Sequence, residues 1–279
     1  MFFKIIKLIV KRLLLSVVFF GFMIIPINSN SQIIQEQFEI SNTSAFKTGE
    51  LLQYRLHYGF LNACYASLTL RNDTINGSPV IHAKGYGRTS GLARLFFRVE
   101  DYYESYFFRK NNQPIRFIRN IDEGGYTKNK IVNFNQKNKT AYVNDIKNNK
   151  QSIYSIKTNT QDIVSSLYYF RNHLPLRDLV PNEVFKADVF FDDESTNFSL
   201  KYIGVEVLET RFGNIECLKF KPLVQKGRVF KTEESVTLWV SNDLNKIPIR
   251  VQADIAIGSI KCDLENFKNI KHPFKIKIN

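Results

Sequence analysis

After residue 49 the chain alternates apolar and polar side chains in short segments that are separated by only a few residues. Tyr54, Leu56 and Tyr58, for example, alternate with polar neighbours, and Asn76-Gly77 has the composition of a turn. A period of two is typical of half-buried strands. A parallel pair would need a crossover of about a dozen residues or more, so these short links favour antiparallel neighbours.

One segment follows a different rhythm. From Ile163 to Leu174 the apolar residues recur at three- and four-residue steps, which is the period of an amphipathic helix. Thr160 is suited to cap the first turn, Asp162 to the positive end of the helix dipole, and Pro175 to end the helix.

The expected fold is therefore mainly β. We predict a single large curved antiparallel sheet, or an open barrel-like meander, wrapped around one helix at about residues 160–174. Residues 49–279 contain no linker rich in Pro, Gly or Ser and no repeat of fixed period, so they are predicted to form one β-rich domain. The polar residues 32–48 are expected to form an extended arm.

Residues 1–31 have the three-part pattern of a secretory signal peptide. Four basic residues are followed by an apolar run, and the small residue Ser31 then precedes Gln32, where cleavage is predicted. The alternative is an uncleaved anchor, although the apolar run is short for a membrane span of about 20 residues. The mature chain is accordingly expected to be exported to the periplasm or secreted, and not to span a membrane.

The chain is basic, with a net charge of +13, but its lysines are scattered and form no block of like charges. Scattered charge is typical of an ordinary solvated surface. An exported protein without a recognition motif is not expected to bind nucleic acid.

Motifs for catalysis are missing from the sequence. There is no Gly-x-Ser-x-Gly, His-Glu-x-x-His, Walker or Gly-x-Gly-x-x-Gly pattern, and the four histidines are far apart. The acidic run 192–194 lacks the spacing of a calcium loop and is interpreted as a solvated hairpin turn. No cofactor or metal is predicted.

Aromatic residues are concentrated in one predicted strand, at positions 102–108. Such residues line ligand cavities in some proteins and fill the core in more of them. Tyr102, Tyr106 and Phe108 are candidate ligand-binding residues. Arg171, which follows the apolar helix residues, is a fourth candidate and is suited to pair with a buried carboxylate.

Three cysteines follow the leader: Cys64, Cys217 and Cys262. In an oxidising compartment Cys217 and Cys262, both in late predicted strands, are the more suitable disulfide pair. The alternative is that all three are small buried residues. Cys64, which alternates with apolar residues, fits that alternative.

Six stretches carry a family resemblance, and they are Gly49–Tyr54, Asp101–Ser105, Asp162–Arg171, Leu238–Asp243, Lys246–Arg250 and Ile257–Ile260. Taken together, they resemble the exported proteins of the domain of unknown function 3108 family. The family has no established activity, so the resemblance supplies no catalytic residue. It implies a curved sheet around a helix, similar to the periplasmic carriers that hold acyl chains. Cys64 departs from the small residue, often glycine, expected there.

Three hypotheses follow. The first is a non-catalytic envelope protein that binds a lipid-like or other hydrophobic ligand in a cavity of the sheet. The second is a structural or interaction module of the envelope that recruits a protein partner through an exposed strand edge. The third is an envelope enzyme, a hypothesis that a cleft holding two or more of His57, His82, Glu104, Asp122 and Glu123 together would favour.

Overall fold

The computed structural model describes residues 44–223, 235–255 and 258–277, which contain fourteen strands and two helices. The strands are β1 (Leu51–Tyr58), β2 (Leu61–Ile75), β3 (Ser78–Thr89), β4 (Val99–Phe107), β5 (Pro114–Glu123), β6 (Tyr126–Asn135), β7 (Thr140–Asp145), β8 (Lys150–Ser155), β9 (Val184–Phe191), β10 (Glu194–Thr210), β11 (Gly213–Pro222), β12 (Val236–Ser241), β13 (Pro248–Asp254) and β14 (Ser259–Lys268). The helices are α1 (Gly91–Phe96) and α2 (Ile163–His173). The predicted leader with its Ser31–Gln32 cleavage site, and the arm up to residue 43, lie outside these ranges.

All fourteen strands form one antiparallel sheet, in the order β8-β7-β6-β5-β4-β3-β2-β1-β14-β13-β12-β11-β10-β9. Strands β1–β8 form one meander and β9–β14 a second, and the two join where β1 pairs with β14, as at Tyr54 and Leu264. The end strands β8 and β9 are not paired with each other, so the sheet is open. The predicted mainly β fold with one large antiparallel sheet is confirmed.

A charged contact connects the two halves of the open sheet. The β9–β10 turn contains Asp192, whose carboxylate lies 2.7 Å from the Arg119 guanidinium on β5 and 2.5 Å from the Lys128 ammonium on β6. The next residue, Asp193, lies 2.5 Å from the Lys130 ammonium. The acidic run is a hairpin turn, as predicted, but its carboxylates bind cations of the same chain.

Helix α2 packs on strands β3, β4 and β9. Around it lies a core that is rich in aromatic side chains, including Phe46, Tyr103, Phe107, Tyr168, Phe190 and Phe198. Phe46 belongs to the predicted arm, whose described part thus contributes to the core. A sheet that packs around a helix is what the sequence predicted.

Two details of the helices differ from the prediction. The cap of α2 is Asp162 rather than Thr160, so the helix begins at Ile163 and ends at His173. In addition, α1 forms in the apolar connector between β3 and β4, where the sequence indicated no helix. The sequence pattern could not reveal α1, because this six-residue helix has no buried side chain and therefore no apolar face that recurs at helical spacing.

The C-terminal segment covers part of the outer face of the second meander. Lys277 pairs with Asn214 at the start of β11, and Phe274 packs against Phe212 and Phe267. No helix in the described ranges is long and apolar enough to cross a membrane.

Candidate functional site

A groove lies between α2 and the second meander, and we call it the α2 groove. Its walls are mostly apolar and come from α2, from β10 and β12, and from the turn that precedes β13. The lining residues are Ser166, Leu167, Phe170, Arg171, Leu174, Phe198, Leu200, Leu238, Val240, Lys246 and Pro248. An apolar pocket with a few polar groups is the usual form of a small-molecule site.

Lys246 is, with Arg171, one of the two cationic residues in this mostly apolar lining. Lys246 is only 7% exposed. No carboxylate of the described residues forms a salt bridge with its ammonium. Burial, together with the nearby Arg171 guanidinium, lowers the pKa of Lys246 to about 8. A largely buried lysine without a carboxylate partner favours the approach of an anionic group to its ammonium.

The turn before β13 holds Lys246 in place. The Asp243 side chain accepts the amide N–H of Asn245 at 2.9 Å and that of Lys246 at 3.3 Å. The Ser241 hydroxyl donates to the same carboxylate at 3.0 Å. The backbone of Lys246 therefore lies in the left-handed region, with φ of 47°, and its position is fixed by hydrogen bonds.

A buried ion pair anchors the C-terminal half of α2. Arg171 Nη1 donates to Glu50 Oε1 at 2.6 Å, and Nη2 donates to Oε2 at 2.8 Å. Arg171 Nε donates to the carbonyl of Asn245 at 3.0 Å, beside Lys246. The expectation that Arg171 pairs with a buried carboxylate is confirmed, because Arg171 and Glu50 are 2% and 1% exposed.

The first turn of α2 is fixed to β4. The Asp162 carboxylate accepts the amide N–H groups of Val164 and Ser165, each at 2.8 Å. The Ser105 hydroxyl, on the inner face of β4, donates to the same carboxylate at 2.5 Å. Burial raises the pKa of Asp162 to about 6 against the effect of these hydrogen bonds. Both ends of the helix are thus held by buried polar contacts.

The space inside the α2 groove is small. Its enclosed volume is about 20 Å³, which is room for about one water molecule. A second pocket, between β5–β6 and the β9–β10 turn, encloses about 10 Å³. An acyl chain therefore requires that side chains of the α2 groove move apart.

The structure separates the predicted ligand-binding residues. Tyr102 and Tyr106 lie on the outer face of the sheet, where Tyr102 stacks on Tyr86 and Tyr106 stacks on His82. Phe108 follows β4 and is half-buried. Arg171 is on the inner side, in the ion pair with Glu50, so the four residues do not form one site. Lys246, which the sequence reading treated only as part of a family motif, lines the α2 groove instead.

The predicted disulfide between Cys217 and Cys262 is absent, and all three cysteines are free, buried thiols. Cys262 lies on the inner face of the sheet, because it pairs with Val251, which in turn pairs with the inner-face residue Leu238. Cys217 lies on the outer face, because its partner Ser241 is on the opposite face of β12 from Leu238. The two cysteines also lie three strand spacings apart, about 14 Å, whereas a disulfide spans at most about 7 Å between Cα atoms.

Burial makes these thiols unreactive. It raises the pKa of Cys217 and of Cys262 to about 12, and it raises the pKa of Cys64 even further. A thiol nucleophile needs a thiolate. The expectation that Cys64 is a buried small residue is confirmed.

Of the histidines and carboxylates proposed for an enzyme, His82 and Glu104 come together, and His57 and Glu123 lie apart from them. His82 Nε2 lies 2.7 Å from a Glu104 carboxylate oxygen on the outer face. His57 contacts Asp263 at 2.9 Å elsewhere on the sheet. Glu123 is buried on the inner face. No group of three or more metal-binding side chains occurs among the residues in the described ranges.

The sequence reading missed a buried pair of acidic residues. Asp101 on β4 and Glu123 on β5 are buried on the inner face. Burial, followed by the charge of Glu123, raises the pKa of Asp101 far above its ordinary value. The sequence does indicate this burial for Asp101. Side chains alternate between the two faces of β4, and Asp101 falls on the same face as the apolar residues Tyr103 and Phe107.

This raised pKa predicts that the protein becomes less stable as the pH rises from about 5 to about 8. Asp101 keeps its proton in the folded state and loses it near pH 4 when unfolded, so a rising pH favours unfolding. Between about pH 5 and pH 8, we expect the unfolding free energy of the wild type to fall by at least about 1.4 kcal/mol more than that of an Asp101→Asn variant. This difference is the equivalent of one pKa unit. Urea unfolding at the two pH values measures this difference.

The outer-face substitution Asp122→Asn is the matched control and should leave the pH dependence of the wild type unchanged. If Asp101→Asn also retains that pH dependence, Asp101 is not protonated in the folded protein.

Comparison with known proteins identifies the family. The sequence profile of the family described as protein of unknown function DUF3108 matches residues 53–265. This chain belongs to the DUF3108 family. The resemblance found in the sequence is thereby confirmed. A search of curated proteins finds no match.

A solved structure shares the fold. It is a β-barrel-like protein of the domain of unknown function DUF1849 from Brucella abortus, with 9% identity and a TM-score of 0.50. The similarity covers 81% of this chain and 100% of that chain. At this identity the likeness concerns the fold alone.

The lining of the α2 groove lies entirely within the DUF3108 match, from Ser166 to Pro248. Glu50 and Phe46, by contrast, precede the matched range. The anchor of Arg171 is therefore completed by the segment immediately before the DUF3108 region.

Proposed function

We propose that this DUF3108 protein is exported, acts in the cell envelope without catalysing a reaction, and binds an amphiphile with an anionic head. The apolar chain of the ligand would occupy the α2 groove, and its carboxylate or phosphate would meet Lys246. The signal-peptide pattern of residues 1–31 supports export.

The observation that carries the proposal is Lys246, a largely buried lysine without a carboxylate partner in the described ranges, among the mostly apolar residues that line the α2 groove. Phe170, Leu174 and Leu238 offer a surface that suits an alkyl chain but gives no hydrogen bonds. Lys246 supplies three donors and a charge at one place in this lining. This combination selects a molecule with one long apolar part and one anionic group.

The small enclosed volume favours a second function. A core filled by its own side chains suits the structural or protein-interaction module, in which the sheet presents its surface to another envelope protein. Ile153 is exposed on the end strand β8. That strand is short and begins with Lys150, however, and both features discourage the addition of another strand.

Titration with the fluorescent fatty acid cis-parinaric acid tests the ligand proposal. The wild type is expected to bind it saturably, and Lys246→Met to bind it about 10- to 100-fold more weakly, because a charge-assisted hydrogen bond contributes about 1.5–3 kcal/mol. Binding to the wild type should weaken as the pH rises past about 8, where Lys246 loses its proton.

Lys186→Met is the matched control, since Lys186 is an exposed lysine on β9. It should bind the probe as the wild type does. The methyl ester of the same acid should bind the wild type and Lys246→Met equally well. An absence of saturable binding, or equal affinities of the two lysine variants for the acid, contradicts the proposal and favours the interaction module.

A further inference from the structure

Apolar side chains are exposed at the end of the sheet where α1 lies. Phe60, in the β1–β2 turn, is 92% exposed, and Leu92, Leu95 and Phe96 of α1 are 70%, 79% and 51% exposed. Leu61 at the start of β2 is partly exposed as well. We call these five residues the α1 patch. Concentrations of exposed apolar side chains mark protein or membrane contacts.

The α1 patch is continuous in the fold. The amide N–H of Ser90, the cap residue of α1, donates to the carbonyl of Ala63 on β2 at 3.0 Å. The helix therefore lies beside the start of β2, close to the β1–β2 turn. Leu92 and Leu95 are three residues apart, so both lie on one face of α1.

The charge around the α1 patch is positive. Arg88, Arg94 and Arg98 are exposed beside it. The only acidic group that these arginines contact in the described ranges is Glu100, which lies 3.5 Å from Arg94 and 3.0 Å from Arg98. Three guanidinium groups outnumber the two outer-face carboxylates beside them, Glu100 and its cross-strand neighbour Asp122, so the charge here is positive.

We propose that the α1 patch docks on an anionic phospholipid surface, with Phe60 and the leucines of α1 inserted among the lipids and the arginines at the headgroups. An apolar tip bordered by cations combines the two terms of interfacial binding, buried apolar area and attraction to anionic lipid. An acidic protein surface is the other occupant that would match these charges, and such a partner would leave Phe60→Trp unquenched by lipid vesicles. This surface is separate from the α2 groove.

A tryptophan at the tip tests the proposal site by site. We would place Phe60→Trp and, as its matched control, Ile153→Trp on β8 in otherwise unchanged full-length protein. Each variant is mixed with brominated phosphatidylcholine vesicles that contain phosphatidylglycerol in an equal part, and tryptophan fluorescence is recorded. The native Trp239 is buried and contributes the same background to both.

Docking predicts that Phe60→Trp is quenched at least twofold and shifts to shorter wavelength, while Ile153→Trp is unchanged. In the Phe60→Trp protein, Arg94→Gln with Arg98→Gln should raise the lipid concentration for half-maximal quenching about 30-fold, given about 1 kcal/mol for each basic residue near an anionic surface.

Three results would overturn the docking proposal. In the first, Phe60→Trp is quenched no more than Ile153→Trp, so the tip does not enter the bilayer even if another segment anchors the protein. In the second, vesicles of phosphatidylcholine alone quench equally, so anionic lipid is not recognised. In the third, the arginine substitutions have no effect. None of these results depends on the outcome of the fatty-acid titration.

Discussion

An Arg171→Met variant should lose about 3–5 kcal/mol of unfolding free energy, because it leaves the Glu50 carboxylate buried without its cation. The pair is bidentate, and Arg171 also donates to the Asn245 carbonyl. The loss combines an uncompensated charge with an unsatisfied acceptor. Urea denaturation followed by circular dichroism measures it.

The half-buried pair of Arg55 with Glu265, at 3.1 Å and with about a third of each side chain accessible to solvent, provides the matched control. Arg55→Met should cost less than about 1 kcal/mol, since surface ion pairs contribute little. Adding Glu50→Gln to Arg171→Met should recover part of the loss by removing the buried charge. If Arg171→Met unfolds within about 1 kcal/mol of the wild type, the Glu50 contact is not the anchor described.

A Phe107→Ala variant should be destabilised by about 3–5 kcal/mol, since it removes a ring from the core around α2. The ring of Phe107 lies 5.6 Å from that of Tyr168 and 6.3 Å from that of Phe46, measured between centroids. It therefore connects the sheet, the helix and the segment before β1. Thermal and urea unfolding measure the loss.

Phe60→Ala is the comparison for this prediction, since it removes the same ring from an exposed turn and should change stability by less than about 0.5 kcal/mol. Equal losses in the two alanine variants would show that the core does not depend on Phe107.

Much of the fold could be predicted from the sequence because its signals are local. The alternation around Tyr54 and Tyr58 and the three- and four-residue steps after Ile163 indicate element types without knowledge of the tertiary structure. Short links then fix antiparallel neighbours within each meander. The pairing of β1 with β14 has no local signal, since its partners, such as Tyr54 and Leu264, are far apart in sequence.

The candidate site was less predictable, because it also depends on contacts between residues that are far apart in sequence. Lys246 differs from other lysines only through its burial beside α2, which depends on the packing of elements distant in sequence. Arg171 was recognisable as a helix residue in need of a carboxylate, but its partner Glu50 lies before the first strand. The face on which each cysteine lies follows from strand register, which the spacing of Cys217 and Cys262 does not reveal.

The most direct test of amphiphile binding in the α2 groove is native mass spectrometry, with lipid extraction, of the protein isolated from its own envelope fraction. We expect one bound amphiphile per chain, with an acid or phosphate head, and a bare chain for Lys246→Met prepared in the same way. Wild-type protein that is bare, in a preparation gentle enough to retain ligands, would contradict it.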